Sequence, residues 1–261
     1  MNQTIHGMTR LHLADCVSTQ DYLAQRLEEM APLFPVCITA DEQTGGRGRW
    51  NRVWHSPRGL GLYLSWGFQL ERPEALPWVP LAAGLAVCRA LGVRRWNAAR
   101  IKWPNDILIR DRKLAGILSE SRTLRENIVC LCGIGLNVNQ RKEDFPEDIR
   151  GRAVSLRMLT GREHSREILL GRLCHQLQRV HGRLEKGEFP GLLRAVRRRT
   201  RWMKGRPLRF HVRDSWVAGT AQGLAADGGL MLRRNDGGQE ILYSGEVEMA
   251  PGRDAGGLIP R

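Results

Sequence analysis

Gln43-Thr44-Gly45-Gly46-Arg47-Gly48-Arg49-Trp50-Asn51-Arg52-Val53-Trp54 is the stretch around which the first half of the chain is organised. Glycines at 45, 46 and 48 free the backbone to close over a ligand, and the arginines supply planar forks that pair with carboxylate or phosphate oxygens. Such a loop asks for an anion. Alone it does not say which one, since arginine-glycine segments also bind RNA and many basic loops bind nothing. On either side lie two strand signals, the β-branched apolar run 36–40 and the alternating run Gly61 to Phe68 (GLYLSWGF).

Further out, Ser18 and Asp21 read as a helix N-cap and its third-position acid, ahead of Leu23, Leu27 and Met30 at helical spacing. Residues 78–91 (WVPLAAGLAVCRAL) are nearly all apolar and tolerate Pro80 only near a first turn, which predicts a buried helix. Short extended runs at 100–103 and 106–110 are split by Pro104-Asn105, a turn-forming pair. A third, 113–120, follows a turn at Asp111-Arg112. The run 128–138 (IVCLCGIGLNV) alternates with glycines at 133 and 135, as a strand does where something approaches its backbone closely. Residues 163–186 carry apolar side chains at the spacing of a long amphipathic helix.

Beyond Gly205 the pieces LRFHV, SWVAGTAQGLA, GGLMLRR and QEILYSGEVEM alternate, separated by turns at 227–229 and 236–238. They predict a small all-β barrel of about 45 residues, a size that gains from packing against a larger body. The expected organisation is α+β: a mixed-sheet main domain over 1–189, a basic linker over 190–204, and a small β-barrel with its tail over 205–261.

With 261 residues the chain can bury a real core, and 42% hydrophobic with 26% charged residues is globular composition. No apolar run reaches membrane-spanning length and the first residues lack a secretory core, so a cytoplasmic protein away from the membrane is expected. The six cysteines (16, 37, 88, 130, 132, 174) have no CxxC or paired Cys/His spacing; they are expected reduced and buried, with no metal site. A net charge of +14 raises nucleic acid or an anionic substrate without choosing between them. Its densest part, residues 194–209 (RAVRRRTRWMKGRPLR), holds eight basic residues and no acid, as either a solvated basic helix and linker or a docking surface.

A second motif, Lys102-Trp103-Pro104-Asn105-Asp106, puts a lysine on a rigid base before a proline-fixed turn. A lysine there can act as a point charge on a phosphoryl oxygen as negative charge grows at phosphorus, or can be a plain surface hairpin lysine. In order, GGRGRW, KWPND, KLAGIL at 113–118 and GIGLNVN at 133–139, preceded by Ser18-Thr19-Gln20, resemble the catalytic domain of biotin protein ligases, of the class II synthetase-like biotin/lipoate ligase type. The resemblance runs with specific motifs from about Asp15 to Val138, and more loosely to about Ala250.

The resemblance implies ATP and biotin as substrates, Mg2+ accompanying ATP, biotinyl-5′-AMP as intermediate, and a lysine of a biotin carboxyl carrier protein or carboxylase biotin domain as acceptor. Lys102 matches the family lysine held between biotin carboxylate and α-phosphate; with Arg49 it is the catalytic candidate. Ser18, Thr19, Gln20 and Gln43 match the start and strand end that bind the ureido ring, and Gly46, Arg47, Gly48, Arg49 and Gly116 match the rest of the biotin site. Arg49, Trp50, Arg52, Trp54, Asn105 and Asn137 match positions on the nucleotide side, where an indole can stack on adenine. The chain departs from the family pattern at Trp50 and Asn51, the latter replacing a glycine that asparagine can imitate in the left-handed region. The resemblance also leaves no room for an N-terminal helix-turn-helix, so sequence-specific DNA binding is not expected. A monomer and a homodimer both stay open. A lipoate protein ligase of the same fold and a basic RNA-binding module are the rival readings; the module leaves three of the motifs unexplained.

Overall fold

The computed structural model describes residues 3–92, 99–212 and 215–249; the tail 250–261 of the expected C-terminal unit lies outside the described residues. Eight strands form the main sheet: β1 (Gln3–Ile5), β2 (Met8–Leu13), β3 (Val36–Ala40), β4 (Gly61–Leu70), β5 (Arg100–Lys102), β6 (Asp106–Ile109), β7 (Arg112–Leu124) and β8 (Asn127–Asn137). Their spatial order is β1-β2-β3-β4-β8-β7-β6-β5. Only β2 and β3 run parallel; every other neighbouring pair is antiparallel. The helices are α1 (Thr19–Gln25), α2 (Leu27–Met30), α3 (Val79–Ala90), α4 (Glu147–Arg150), α5 (Leu156–Thr160), α6 (Arg166–Glu185) and α7 (Phe189–Thr200).

The two faces of this sheet are covered differently, and the pleat records it. On β8, Cys130, Cys132 and Ile134 join the large core beneath α3, α6 and α7, whereas Val129 and Leu131 pack with Leu23 of α1 on the other side. Strand β4 is covered on both faces, so the alternation in GLYLSWGF is not inside against outside. It is large against small. Leu62, Leu64, Trp66 and Phe68 fill the helical side, while Gly61, Tyr63, Ser65 and Gly67 face α1 and the loop 43–54. A Cβ on Gly67 would meet Val36 Cγ1 at 2.9 Å and Leu23 Cδ2 at 3.0 Å, so the small side of the strand is what lets α1 lie close.

The turn anticipated at Asp111-Arg112 falls one residue earlier, with Arg110 and Asp111 both left-handed (φ 50° and 60°). The stretch expected as a basic linker is a helix over most of its length. Pro190 sits in the first turn of α7, and Leu192, Leu193, Ala195, Val196 and Thr200 are buried along one side. Crowded arginines on the opposite side hid that apolar stripe. The expected C-terminal barrel is an open five-stranded sheet, with β9 (Pro207–Val212), β10 (Ser215–Leu224), β11 (Leu230–Arg234), β12 (Gln239–Leu242) and β13 (Val247–Met249) in the order β12-β11-β10-β9-β13. The turns at 227–229 and 236–238 lie where the sequence puts them.

This smaller sheet shares one core with the main body: Leu208, Phe210, Ala221, Leu224 and Leu230 are buried in the same cluster as α3 and α7. Trp103 Nε1 donates to Gly228 O at 3.1 Å, tying the 102–106 turn to it. All six cysteines are free, five of them buried; Cys16 is only half-buried. Burial pushes the Cys88 and Cys130 thiols up to about 12. Among the described residues no helix is long and apolar enough to cross a membrane.

Candidate active site

Ser18 caps α1, its Oγ accepting from Asp21 N at 3.3 Å, and presents Thr19 and Gln20 to the small face of β4. A polar chain begins there. Gln43 Oε1 accepts from Thr19 N (2.9 Å) and Thr19 Oγ1 (3.0 Å), while Gln43 Nε2 donates to Ser56 Oγ at 2.9 Å. Ser65 Oγ lies 2.9 Å from Thr19 Oγ1 and 3.0 Å from Gln20 Oε1. Gln20 Nε2 donates to Glu120 Oε2 at 2.9 Å and Leu131 O at 3.0 Å, over the space that Gly133 leaves open. Ser18, Thr19, Gln20, Ser56 and Ser65 are all buried. Uncharged donors and acceptors held this way recognise a neutral polar ring by hydrogen bonds rather than by charge.

The loop 43–54 is a small hairpin. Trp54 N donates to Gly46 O (2.8 Å) and Gly48 N to Arg52 O (2.7 Å), and the turn at its tip puts Trp50 and Asn51 at φ 57° and 56°. Asn51 takes the left-handed backbone expected of it; Trp50 takes it too and is largely exposed. Gly46 is obligatory, because a Cβ would come within 2.5 Å of Trp54 O. Three elements pin the arginines. Arg47 pairs with Asp21 at 2.7 Å and Glu120 at 3.3 Å, Arg49 Nη1 donates to Asn105 Oδ1 at 3.2 Å, and Arg52 pairs with Glu246 of the smaller sheet.

Beside Arg49 lies the 102–106 turn. Asn105 donates through Nδ2 to Ile117 O at 2.9 Å, so its amide ties hairpin and sheet together. Lys102, on edge strand β5, pairs in register with Asp106, and Lys113 Nζ sits 2.7 Å from Asp106 Oδ1. Burial, followed in weight by attraction to Asp106 and repulsion from Lys113, holds the Lys102 ammonium below the usual lysine range; Glu246 and Glu248 oppose that shift. Burial likewise lowers Arg49. Two desolvated cations with few acids near them have lost water that an arriving anion would replace.

Trp54 forms the floor's cover. A Cβ at Gly135 would fall 2.3 Å from its Cε2 and Nε1, and one at Gly116 3.0 Å from its Cζ3, so the indole lies flush on the two glycines. Lys113 Nζ stands 5.4 Å from the ring centroid, and the buried Nε1 finds no hydrogen-bond partner. What approaches the glycines of β8 is thus Gln20 at 133 and Trp54 at 135. Asn137 stands apart from the other sequence-derived candidates: it is buried, and its Nδ2 points to Lys113 O (3.3 Å) and Val154 O (3.2 Å), fixing β7 from beneath. Sequence reasoning overlooked Ser56, Ser65, Asp106, Lys113, Glu120 and Glu246. Lys113 opens KLAGIL and could have been found there; Glu246 lies in no motif.

Ten residues at the edge of two sheets therefore combine a neutral hydrogen-bonding pocket, a glycine floor and a cationic end, the site of a ligase that activates a small polar acid. The biotin/lipoate A/B protein ligase family model matches residues 14–139, and the biotin protein ligase C-terminal domain model residues 205–249. Similarity extends to the bifunctional ligase/repressor BirA of Bacillus subtilis, 32% identical over 239 residues, covering 90% of this chain and 72% of that protein. A biotin--[acetyl-CoA-carboxylase] ligase of Mycobacterium tuberculosis is 36% identical over 171 residues, covering 64% of this chain and 61% of its own. Among solved structures, the Aquifex aeolicus biotin protein ligase in complex with biotin and ATP aligns at TM-score 0.77 and 29% identity, covering 92% of this chain and 98% of that one. The chain belongs to the biotin protein ligase family.

Proposed function

We propose that this chain activates biotin and transfers it to protein through the residues just described. The biotin carboxylate oxygen attacks the α-phosphorus of ATP, the bond to the β-phosphate oxygen breaks, and pyrophosphate leaves; biotinyl-5′-AMP remains. An acceptor lysine amine then attacks the acyl carbon and AMP departs with the bonding pair. The observation that carries the reading is the junction of the Thr19–Gln43–Ser56–Ser65 hydrogen-bond chain with the cationic group of Lys102, Lys113 and Arg49. A neutral ureido ring suits the first and the reacting carboxylate and phosphate suit the second.

In this reading Lys102 neutralises charge where carboxylate meets α-phosphate, a task for a point charge on a strand. Arg49, with Arg47 and the backbone of Gly46 and Gly48, holds the adenylate, an anhydride that water destroys unless the loop covers it. Gly116 leaves room beside biotin. Trp54 and Arg52, flanked by Trp50 and Asn105, face the nucleotide. Asn137 acts indirectly, by positioning Lys113. Among the described residues no cluster of three His, Cys, Asp or Glu side chains is placed to hold a metal. Mg2+ therefore enters with ATP on phosphate oxygens, as part of that substrate. The acceptor is a biotin carboxyl carrier domain, and the reaction takes place in the cytoplasm.

The test incubates the protein with ATP and either biotin or lipoate and measures acyl-AMP. Biotinyl-AMP is expected; lipoyl-AMP alone would assign the site to the other branch of the fold. Lys102→Ala should abolish adenylate synthesis, whereas Arg49→Ala should release the adenylate faster than it slows synthesis. Equal loss of both steps in the two variants would contradict this division.

A further inference from the structure

The function above leaves the basic face of α7 unused. On its solvent side Arg194, Arg197 and Arg198 are exposed, continued by exposed Arg201, Lys204 and Arg206. Beside them a cleft of about 240 Å³ is lined by Ala99, Arg100, Arg198, Arg199 and Trp202. Trp202 is its half-buried wall. Its Nε1 donates to Ile101 O at 3.0 Å, and the Arg100 and Arg206 guanidinium carbons stand 5.6 and 5.2 Å from its ring. Arg199 Nη1 donates to Ala99 O at 3.0 Å, so its stem is held in the wall of the cleft.

The positive charge continues inward. Arg89 of α3 is half-buried, and after burial the charges that act on it are those of Arg183, Arg179, Arg198 and Arg199, which all disfavour its protonated form. Gly191 makes this crowding possible, since a Cβ there would lie 2.2 Å from Arg183 Nη2. The ion pairs found at this face are Arg100 with Asp111 at 3.6 Å and Arg183 with Glu188 at 3.0 Å. Arginines packed against one another on a helical surface repel, and an anion between them relieves the repulsion.

We propose that α7 and the Trp202 cleft form a sequence-independent binding surface for the phosphate backbone of a nucleic acid. The forks of Arg194, Arg198 and Arg201 suit phosphate oxygens, and an indole already flanked by two guanidinium groups gives a base a face to stack on. An acidic protein could answer the same charge. It fits the placement less well: α3, α6 and α7 cover the sheet face opposite Thr19, Gln20 and Trp54, so a protein seated along α7 is not led to the adenylate.

Fluorescence anisotropy of the full chain with a labelled 20-nucleotide polythymidine, titrated across salt concentrations, tests the proposal. Binding should weaken steeply with salt. The triple variant Arg194→Glu/Arg198→Glu/Arg201→Glu should bind at least about tenfold more weakly, with a log-log salt slope shallower by about three, one per lost phosphate contact. A control, Arg125→Glu/Arg141→Glu/Arg162→Glu, changes net charge equally at exposed positions elsewhere. Retained biotinyl-AMP formation shows that both variants fold, and the control should keep its affinity within about threefold. No binding by the wild type, or equal loss in both triple variants, overturns the proposal. So does unchanged oligonucleotide affinity with slowed biotinylation of an acceptor domain, which would make the face a protein dock.

Discussion

Replacing Gly135 by alanine puts a methyl carbon 2.3 Å from Trp54 Cε2 and Nε1, where ordinary contact begins near 3.4 Å. The rigid indole must shift by about 1 Å, and overpacking of this kind costs about 1–3 kcal/mol. Nothing but packing opposes the shift, because Nε1 has no hydrogen-bond partner. If the nucleotide reads the indole's position, that cost falls on ATP binding, and at 1.4 kcal/mol per decade the KM for ATP rises by about 5- to 150-fold. Pyrophosphate release against ATP concentration measures it, with the KM for biotin as internal control. The decisive comparison adds Trp54→Ala. Once the indole is gone the methyl group meets open space, so the double variant should be no worse than Trp54→Ala alone. Additive losses would refute the idea that Gly135 exists to seat Trp54.

Gln43→Ala removes three hydrogen bonds and should destabilise the protein by about 2–3 kcal/mol at roughly 1 kcal/mol each, with a raised KM for biotin; thermal unfolding and biotin titration check it. Lys102→Met should raise Tm at neutral pH while removing activity. The folded-state pKa of Lys102 lies below its unfolded value, so its charge is a cost at every pH beneath both; the advantage of the methionine shrinks as pH rises through the lowered pKa towards 10.5. An unchanged Tm difference across that window would reject the argument. Glu246→Gln frees Arg52 and takes a carboxylate away from Lys102 and Arg49, so KM for ATP should fall severalfold with kcat little altered; a rise in KM would show that the carboxylate positions rather than competes.

Most of the main sheet was legible because local chemistry and global packing agree there. Ser18 caps the helix it was read to cap, and the glycines at 133 and 135 mark strands approached by Gln20 and Trp54. The site was legible as far as contiguous motifs reach. Lys102, Asn105 and Arg49 come together as their spacing suggested, but Ser65 and Glu120 act from strands whose partners are far away in sequence. Asn137 shows the opposite limit: motif membership cannot tell a side chain that faces a ligand from one that braces the strand beneath it. Helix α7 was obscured because charge composition speaks about solvent, and its stripe of Leu192, Leu193 and Val196 is short beside the arginines. Whether the last strands close into a barrel depends on edge pairing, which alternation does not encode.

Strand β4 has a consequence for how this enzyme can change over generations. Its large residues at 62, 64, 66 and 68 belong to the core under the helices, and its small or polar ones at 61, 63, 65 and 67 look towards the pocket. Two selective pressures are thus interleaved along ten residues with a period of two. Drift at the odd positions can reshape which acid fits without touching what keeps the protein folded, and drift at the even positions does the reverse. One strand keeps stability and specificity as separately adjustable traits.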